Sequence, residues 1–518
     1  MIKKVLILLK IGRALAKSST LDYFDEVYKP NFFVRIFIKI FGFSSFKKKS
    51  LDSKSVGLRL ASALKELGPT FIKLGQFLGT RPDIVGKDLA KELQSLQDDL
   101  PPFDMEIAER SIKEEIGEKK YLEINDLSKP IAAASIAQVH FAKISGEDFA
   151  IKILRPGIEK KFNEELDALM LFASIIEAIL PKARRLKLIE VVHLLKEITT
   201  IEMDLRFEGS AASELKKNTI SDPKFKVPEI NWDFTSRRIL TSQKVDGISI
   251  KDLSKIDEKN IDKKELAKNI IQNFLRQAVG DGFFHGDMHQ GNLFVDYEGN
   301  IIPVDFGIMG RLDVDNRKYL AEILYGFIQR DYEKVADVHF VAGLVPQDQS
   351  KESFSQALRS IGEPIFGQSI KNISAGKLLA QLFEITEQFN MATQPQLLLL
   401  QKTMVVVEGV ARTLDEDANI WEISKPVLEG WLKKEVGPEA KFKQAIQTTS
   451  KVMDRLPELP AMMDNASKAL ELLAAGTVAS NNEIAKKFEY EKIKIKNQQN
   501  NIIIFMLLLI ILLLIILN

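Results

Sequence analysis

In the run HGDMHQGNLF and the VDFG that follows it, Asp287 and Asn292 stand five apart and Asp305 thirteen further on. A carboxylate at Asp287 can accept the proton of an attacking hydroxyl or orient the nucleophile. The amide oxygen of Asn292 and the carboxylate of Asp305 are hard oxygen donors of the kind Mg²⁺ prefers. Bringing both donors to one ion requires a tight connection between them. Residues 292–296, a turn over 297–300 and residues 301–305 supply a hairpin that does this. Two of the five histidines, His285 and His289, share the loop, so a His–Asp–His transition-metal set is the competing arrangement. The asparagine at +5 and the second carboxylate favour hard-oxygen chemistry over it.

These spacings are those of the protein-kinase pattern H-R-D-x-x-x-x-N followed by D-F-G, with Gly286 in the arginine's place. Upstream, Phe149-Ala150-Ile151-Lys152-Ile153 sets one lysine among apolar strand residues, matching the V-A-I-K slot whose ammonium holds phosphates. A carboxylate should pair with Lys152, and Glu202, Asp204 and Glu208 are the candidates. Glu202 and Asp204 are two apart and share no helix face, whereas Asp204 and Glu208, four apart, would. Which of them meets Lys152 stays open. Where a kinase carries a glycine-rich loop, this chain has Ile131-Ala132-Ala133-Ala134-Ser135-Ile136-Ala137-Gln138-Val139. Alanine does not enter the left-handed conformations that glycine uses freely. Backbone N–H groups and the Ser135 hydroxyl can still face phosphate. Such a loop is expected to bind ATP or ADP differently and to disfavour γ-phosphoryl transfer.

The elements that must position these groups follow from periodicity. Residues 58–67 and 87–96 repeat apolar side chains at helical spacing, and Pro101-Pro102 ends the second. Residues 130–153 read as two strands joined at Ser145-Gly146. Helical patterning returns over 159–215, broken near Pro181, with a further strand at 239–245. From Arg317 to about 473 the pattern is almost wholly helical, and 476–500 reads as a polar linker. The order is helices, a small strand-rich region, then a larger helical region, as in a two-lobed kinase layout.

The net charge of +1 argues against a general nucleic-acid binder, and no nucleic-acid partner is expected. The charge is uneven, with eleven Lys/Arg against three Asp/Glu in residues 1–50. A basic, apolar N-terminus suits an anionic membrane surface. Met1–Lys17 is too interrupted by cations for a signal peptide and is expected to form an amphipathic helix. The aromatic-rich run 32–46 is expected at the lipid interface or packed on the body. Residues 502–517 are sixteen consecutive apolar residues preceded by five lysines, which predicts a membrane span with the main body on the cytoplasmic side. The absence of cysteine excludes disulfides and thiol catalysis.

Taken together, Lys73-Leu74-Gly75-Gln76 (K-x-G-Q), the alanine-rich loop, Lys152, Glu202-Met203-Asp204 (E-x-D), HGDMHQGN and DFG resemble the UbiB family of atypical kinases. RDYEKVADVHFVAGLVP and QPQLLLLQKT extend the resemblance over residues 55 to 435, approximately. It implies an α+β, two-lobed protein-kinase-like fold with an N-terminal helical extension and a C-terminal transmembrane helix. It implies ATP or ADP with Mg²⁺ as cofactors and a role in ubiquinone biosynthesis at the bacterial inner membrane. Membrane lipid and isoprenoid quinone precursors are the implied partners, with other quinone-biosynthesis enzymes beside them; the oligomeric state is left open. By the same analogy Lys73 and Gln76 lie near the nucleotide and close the site to protein substrates. Members often carry a pair of membrane segments where this chain has one apolar stretch, so one pass or two stays open.

The expected division is a basic amphipathic segment 1–50, a helical extension 51–125, a kinase-like N-lobe 126–245, a C-lobe 246–435, a tail 436–500 and an anchor 501–518. The expected activity is that of a membrane-anchored kinase or ATPase serving quinone assembly. A nucleotide-gated scaffold or lipid chaperone, a true protein kinase and a soluble small-molecule phosphotransferase are the alternatives.

Overall fold

The computed structural model describes residues 2–18, 55–79, 81, 85–93, 96, 100–179, 187–366, 381, 385, 388–391 and 395–436. The chain divides into two compact units, Met1–Lys433 and Lys434–Asn518, and the architecture below is that of the first.

Four helices open it: α1 (Ile2–Lys17), α2 (Val56–Leu67), α3 (Pro69–Gly79) and α4 (Lys87–Leu93). Helix α1 is amphipathic, as its sequence predicts. Three of its cations are paired within the body: Lys3 with Glu164 at 2.5 Å, Lys4 with Asp167 at 3.1 Å and Lys17 with Glu66 at 2.7 Å. Ser55 starts α2 by accepting the N–H of Leu58. Helix α4 ends at Leu93, before the Leu96 expected from periodicity. Helix α5 (Met105–Ile116) follows, and lies on one face of the main sheet.

That sheet is antiparallel, in the order β1 (Ile124–Asn125), β3 (Ala137–Ile144), β4 (Glu147–Leu154), β5 (Ile239–Gln243), with β2 (Ala132–Ala133) also on β3. The β3–β4 turn is Ser145-Gly146, both at positive φ (53° and 88°), the conformation a two-residue hairpin requires. Register sets which side chains share a face. Val139, Lys152 and Leu240 are cross-strand partners on one side; Gln138, Ile153 and their alternating neighbours occupy the other. Ala142, Ile151, Ile153 and Ile239 bury that second face against Ala108 and Ile112 of α5. Burying a side chain such as Ile151 stabilises by about 1.5–3 kcal/mol, which fixes the register and so the face on which Lys152 stands.

Helices α6 (Ile158–Ile179), α7 (Leu188–Glu202) and α8 (Leu205–Asn218) connect β4 to β5. After β6 (Ile248–Ser249), α9 (Lys263–Leu275) begins with Asp262 accepting the N–H groups of Lys264 and Glu265. Strand β7 (Phe283–His285), the expected hairpin β8 (Leu293–Val295) and β9 (Ile301–Pro303), and β10 (Met309–Arg311) form two small sheets: β6-β8-β9 and β10-β7. The longer helices that follow are α10 (Val314–Gln329), α11 (Tyr332–Val341), α12 (Lys351–Phe366), α13 (Pro395–Leu414) and α14 (Ile420–Val436). Helix α10 begins at Val314, three residues before the expected Arg317, because Asp313 caps it by accepting the N–H of Asn316.

Among the described residues, no helix is long and apolar enough to cross a membrane. The predicted span 502–517, the linker 476–500 and the aromatic run 32–46 lie outside the described residues.

Candidate active site

Lys152 projects from the middle of β4 on the face shared with Val139 and Leu240. Its Nζ donates to both carboxylate oxygens of Glu208, at 2.8 and 2.9 Å, and lies 3.7 Å from Asp305 Oδ1. The partner left open by the sequence is therefore Glu208. Burial alone would lower the Lys152 pKa, but Asp305, Glu208 and Glu202 together raise it, so the ammonium is held charged. Glu208 is raised, by burial first and by the Asp305 carboxylate, with Lys152 opposing. Asp305 has 47% of its side chain exposed, and Lys152 holds its pKa down at about 2. The N–H of Gly307 donates to Asp305 Oδ1 at 3.0 Å and fixes the carboxylate's orientation.

The acidic cluster does not form one helical face. The chain breaks at Met203: Glu202 ends α7, and Asp204 is extended (φ −119°, ψ 94°) as the cap of α8. Asp204 accepts from Arg206 Nε at 2.8 Å and Nη2 at 2.6 Å, and from the Arg206 N–H. An aspartate here satisfies an orphan donor of the first helical turn, which is why it caps rather than continues a helix. The expectation that Asp204 and Glu208 share a helix face is thus corrected. Glu202 lies 3.2 Å from Lys73, both side chains 15% exposed, so its nearest cation is Lys73 rather than Lys152.

The K-x-G-Q turn of α3 reaches the cleft through Lys73, whose charge also lowers the Asp305 pKa. Gln76 instead donates to the Leu96 carbonyl at 3.3 Å. Gly75 is required by packing: a Cβ there would meet Leu96 Cδ1 and, at 2.8 Å, Leu64 Cδ1.

The alanine-rich segment is a second hairpin over the cleft. β2 pairs Ala132 with Val139 and Ala133 with Gln138, leaving Ala134, Ser135 and Ile136 as the turn. Arg155 pins it, donating from Nε to the Ala134 carbonyl at 3.0 Å and from its N–H to the Ile136 carbonyl at 2.8 Å. The Ser135 hydroxyl is buried and has no hydrogen-bond partner among the described residues. Val139 and Ala132 share the Lys152 face, and Ile131 is half exposed beside them. Gln138 does not belong with them. Its side chain is on the opposite face, where Oε1 accepts from the Phe103 N–H at 2.8 Å and Nε2 donates to the Phe103 carbonyl at 3.3 Å. The expectation that this side chain binds nucleotide is corrected by strand parity: neighbouring residues on β3 face opposite sides.

Across the cleft, Asn292 Nδ2 donates to the Asp287 carbonyl at 3.1 Å and reaches Asp287 Oδ2 at 3.5 Å. The amide is thereby oriented with Oδ1 turned outward as an acceptor. His285 turns inward: Nδ1 accepts the Asp287 N–H at 3.1 Å, its ring packs on Phe306, and burial lowers its pKa. His289 Nδ1 accepts the Gly291 N–H at 2.9 Å, with Nε2 3.6 Å from Asp287 Oδ2. The two histidines serve the loop's backbone, and among the described residues no group of three His, Cys, Asp or Glu side chains is placed to hold a metal. Two carboxylates and an amide oxygen remain, a donor set that fits Mg²⁺ with waters completing its shell. The partnerless Ser135 hydroxyl, the pinned turn and the charged Lys152 fit a polyphosphate beside it.

A family model described as the ABC1 atypical kinase-like domain matches residues 95–339, and one described as the UbiB helical domain matches residues 358–419. The Probable protein kinase UbiB of Marinobacter nauticus is 38% identical over 434 residues, 83% of this chain and 79% of that protein. The chain belongs to the UbiB family. The Probable protein kinase UbiB of Azotobacter vinelandii is 38% identical over 433 residues, 82% of this chain and 79% of its own. A solved Rv3197–erythromycin complex from Mycobacterium tuberculosis aligns at 21% identity over 71% of this chain and 94% of its own, with a TM-score of 0.45.

The UbiB helical domain contributes α13, which sequence reasoning did not connect with the site. Lys402 Nζ lies 3.9 Å from Asp287 Oδ1, and Thr403 Oγ1 donates to the Gly286 carbonyl at 2.9 Å. Farther along, Gln290 Nε2 donates to Thr413 Oγ1 at 2.9 Å. Ile308, with Leu399 of this helix beside it, leaves no room for the arginine of the kinase pattern. A Cβ on Gly286 would lie 2.9 Å from Ile308 Cγ2, 3.1 Å from the Ile308 carbonyl and 3.2 Å from Leu399 Cδ1. The signal was present as QPQLLLLQKT, a helical run with one cation among apolar residues, but nothing in the sequence says which loop it covers.

Proposed function

We propose that this chain is an atypical kinase or ATPase that binds Mg²⁺–ATP and supports ubiquinone biosynthesis at a membrane, acting on or presenting polyprenylphenol intermediates. The observation that supports the assignment is that Lys152, paired with Glu208, lies 3.7 Å from Asp305, which follows the hairpin whose Asn292 bonds Asp287. When bound there, a magnesium nucleotide supplies an activated phosphoryl group and the charge that balances the carboxylates. Lys152, held charged by Glu208, would bind phosphate oxygens, and Asn292 Oδ1 and Asp305 would hold the cation. Asp287 would orient a hydroxyl or water and accept its proton, and the nucleotide would supply the chemistry by giving up its terminal phosphoryl group with the nucleoside diphosphate as leaving group. The pinned alanine turn and the Lys73–Glu202 pair favour small acceptors over a peptide. Membrane attachment is assigned to the apolar residues 502–517.

Full-length protein in lipid vesicles is expected to hydrolyse ATP in a Mg²⁺-dependent manner, faster with a polyprenylphenol present. Asp287→Asn should cost on the order of 10²-fold or more in kcat, and Asp305→Asn should fail to restore quinone synthesis in a deficient strain. Full turnover by Asp287→Asn would refute the catalytic assignment. The pinning of the alanine turn by Arg155 also favours a second function, a nucleotide-gated scaffold. In that case nucleotide binds, turnover stays negligible, and Asp287→Asn still restores quinone synthesis.

A further inference from the structure

Three carboxylates line the cleft, and the cations beside them are unequally committed. Lys152 donates to both oxygens of Glu208. Lys402 stands next to Asp287, with 34% of its side chain exposed. At 3.9 Å its ammonium is beyond hydrogen-bond reach of Asp287, so the carboxylate attracts it without taking up its N–H donors. Helix α13 is tied to the same loop at Gly286 and Gln290, which fixes where the Lys402 backbone stands. An ammonium whose donors no described residue takes up, held beside the group proposed to orient the nucleophile, is suited to the far end of a polyphosphate whose near end lies on Lys152.

We propose that Lys402 contacts the terminal phosphate of a bound nucleoside triphosphate, so that α13 of the helical domain distinguishes triphosphate from diphosphate. The proposal rests on the nucleotide-binding assignment above and adds a residue and a direction of coupling to it. With a triphosphate bound, the ammonium bridges Asp287 and the terminal phosphate and draws α13 onto the loop. With a diphosphate, no oxygen lies within its reach, and α13 keeps only its Thr403 and Thr413 contacts. No proton leaves Lys402 and no bond to phosphorus involves it. Its role is to hold charge.

The test is isothermal calorimetry on the full-length protein with Mg²⁺ and either a non-hydrolysable ATP analogue or ADP. Lys402→Met should weaken the triphosphate analogue by roughly tenfold, the worth of one charge-assisted contact, and leave ADP within about twofold. Lys402→Arg should recover most of the loss. Hydrogen exchange across residues 395–414 should slow with the analogue and not with ADP in wild type, and the difference should vanish in Lys402→Met. Equal weakening of both ligands, or of neither, would overturn the proposal while leaving the nucleotide site standing. If wild type binds neither ligand, the functional assignment falls and the role of Lys402 with it.

Discussion

Glu208 is 8% exposed, and Lys152 is its paired cation, with the Phe306 backbone N–H as a lesser support. Lys152→Met would leave that carboxyl buried without a cation, which costs about 3 kcal/mol when the charge is retained. The cost should depend on pH. A carboxyl whose folded pKa is raised contributes stability below its unfolded pKa and loses it as pH rises through the folded value. Burial already raises Glu208, and removing Lys152 removes the term that opposes it. Urea unfolding should therefore show a larger deficit for Lys152→Met at pH 8 than at pH 5; an equal deficit at both would contradict the pairing. Asp305 behaves oppositely, since Lys152 lowers it from 3.8 to about 2. Its contribution is present above the unfolded pKa and fades as pH falls through the folded one, so Asp305→Asn should flatten the stability profile between those values. At this scale the sequence was legible where type and spacing bring residues together: Lys152 lies 3.7 Å from Asp305, and Asn292 bonds Asp287. The choice between Glu202 and Glu208 was not legible, because it depends on a helix break at Met203 that the run Glu202, Asp204, Glu208 does not announce.

Strands β3 and β4 and the β8–β9 hairpin could be anticipated because period-two patterning and a turn signal coincide in each. Gln138 could not be assigned a face from its place in an alanine-rich run, since only the β3–β4 register sets its parity. Helix α13 was visible as a helix and invisible as part of the site, because its contacts with the loop of Asp287 join distant parts of the chain. Gly286 is where that packing can be tested. Ile308 and Leu399 already fill the space a side chain would need, and part of that wall is the Ile308 carbonyl, which cannot rotate away. Gly286→Ala should cost about 1–3 kcal/mol by overpacking, read as a lower thermal midpoint, and Gly286→Arg should not fold into this arrangement. A second element-scale test lies at the α11–α12 contact, where His339 is buried edge-on against Phe354 with Nδ1 against the Val335 carbonyl. Burial lowers its pKa from 6.5 to about 4. Between those values the unfolded chain binds the extra proton, so stability is lost as pH falls from 6.5 toward 4, by up to about 3 kcal/mol. His339→Leu should remove that dependence in chemical-denaturation curves; an unchanged slope would mean another group titrates there.

The whole molecule divides after Lys433, and the end of the chain is separable by composition as well: residues 476–500 are polar and rich in Lys, Asn and Gln, then come sixteen apolar residues. Two routes for the proposed membrane attachment are distinguished at this scale. One is electrostatic, through the basic N-terminus; the other is hydrophobic insertion of residues 502–517. Helix α1 weakens the first, because Lys3, Lys4 and Lys17 already answer Glu164, Asp167 and Glu66 on the body. Cations paired in this way have less charge to offer anionic headgroups, and salt screens what remains within about 10 Å at 0.1 M. A chain ending at Lys496 should therefore leave the membrane fraction, while full-length protein stays in it through a wash at 1 M salt. The truncated chain should keep its thermal midpoint within about 2 °C, a change of well under 1 kcal/mol, and its affinity for magnesium nucleotide, since no described cleft residue lies beyond Lys433. If it instead remains with the membrane and is released only by salt, the basic N-terminal segment is the tether and the apolar tail has another role. If it is released but no longer binds nucleotide, the tail supports the cleft, and catalytic body and anchor are not independent.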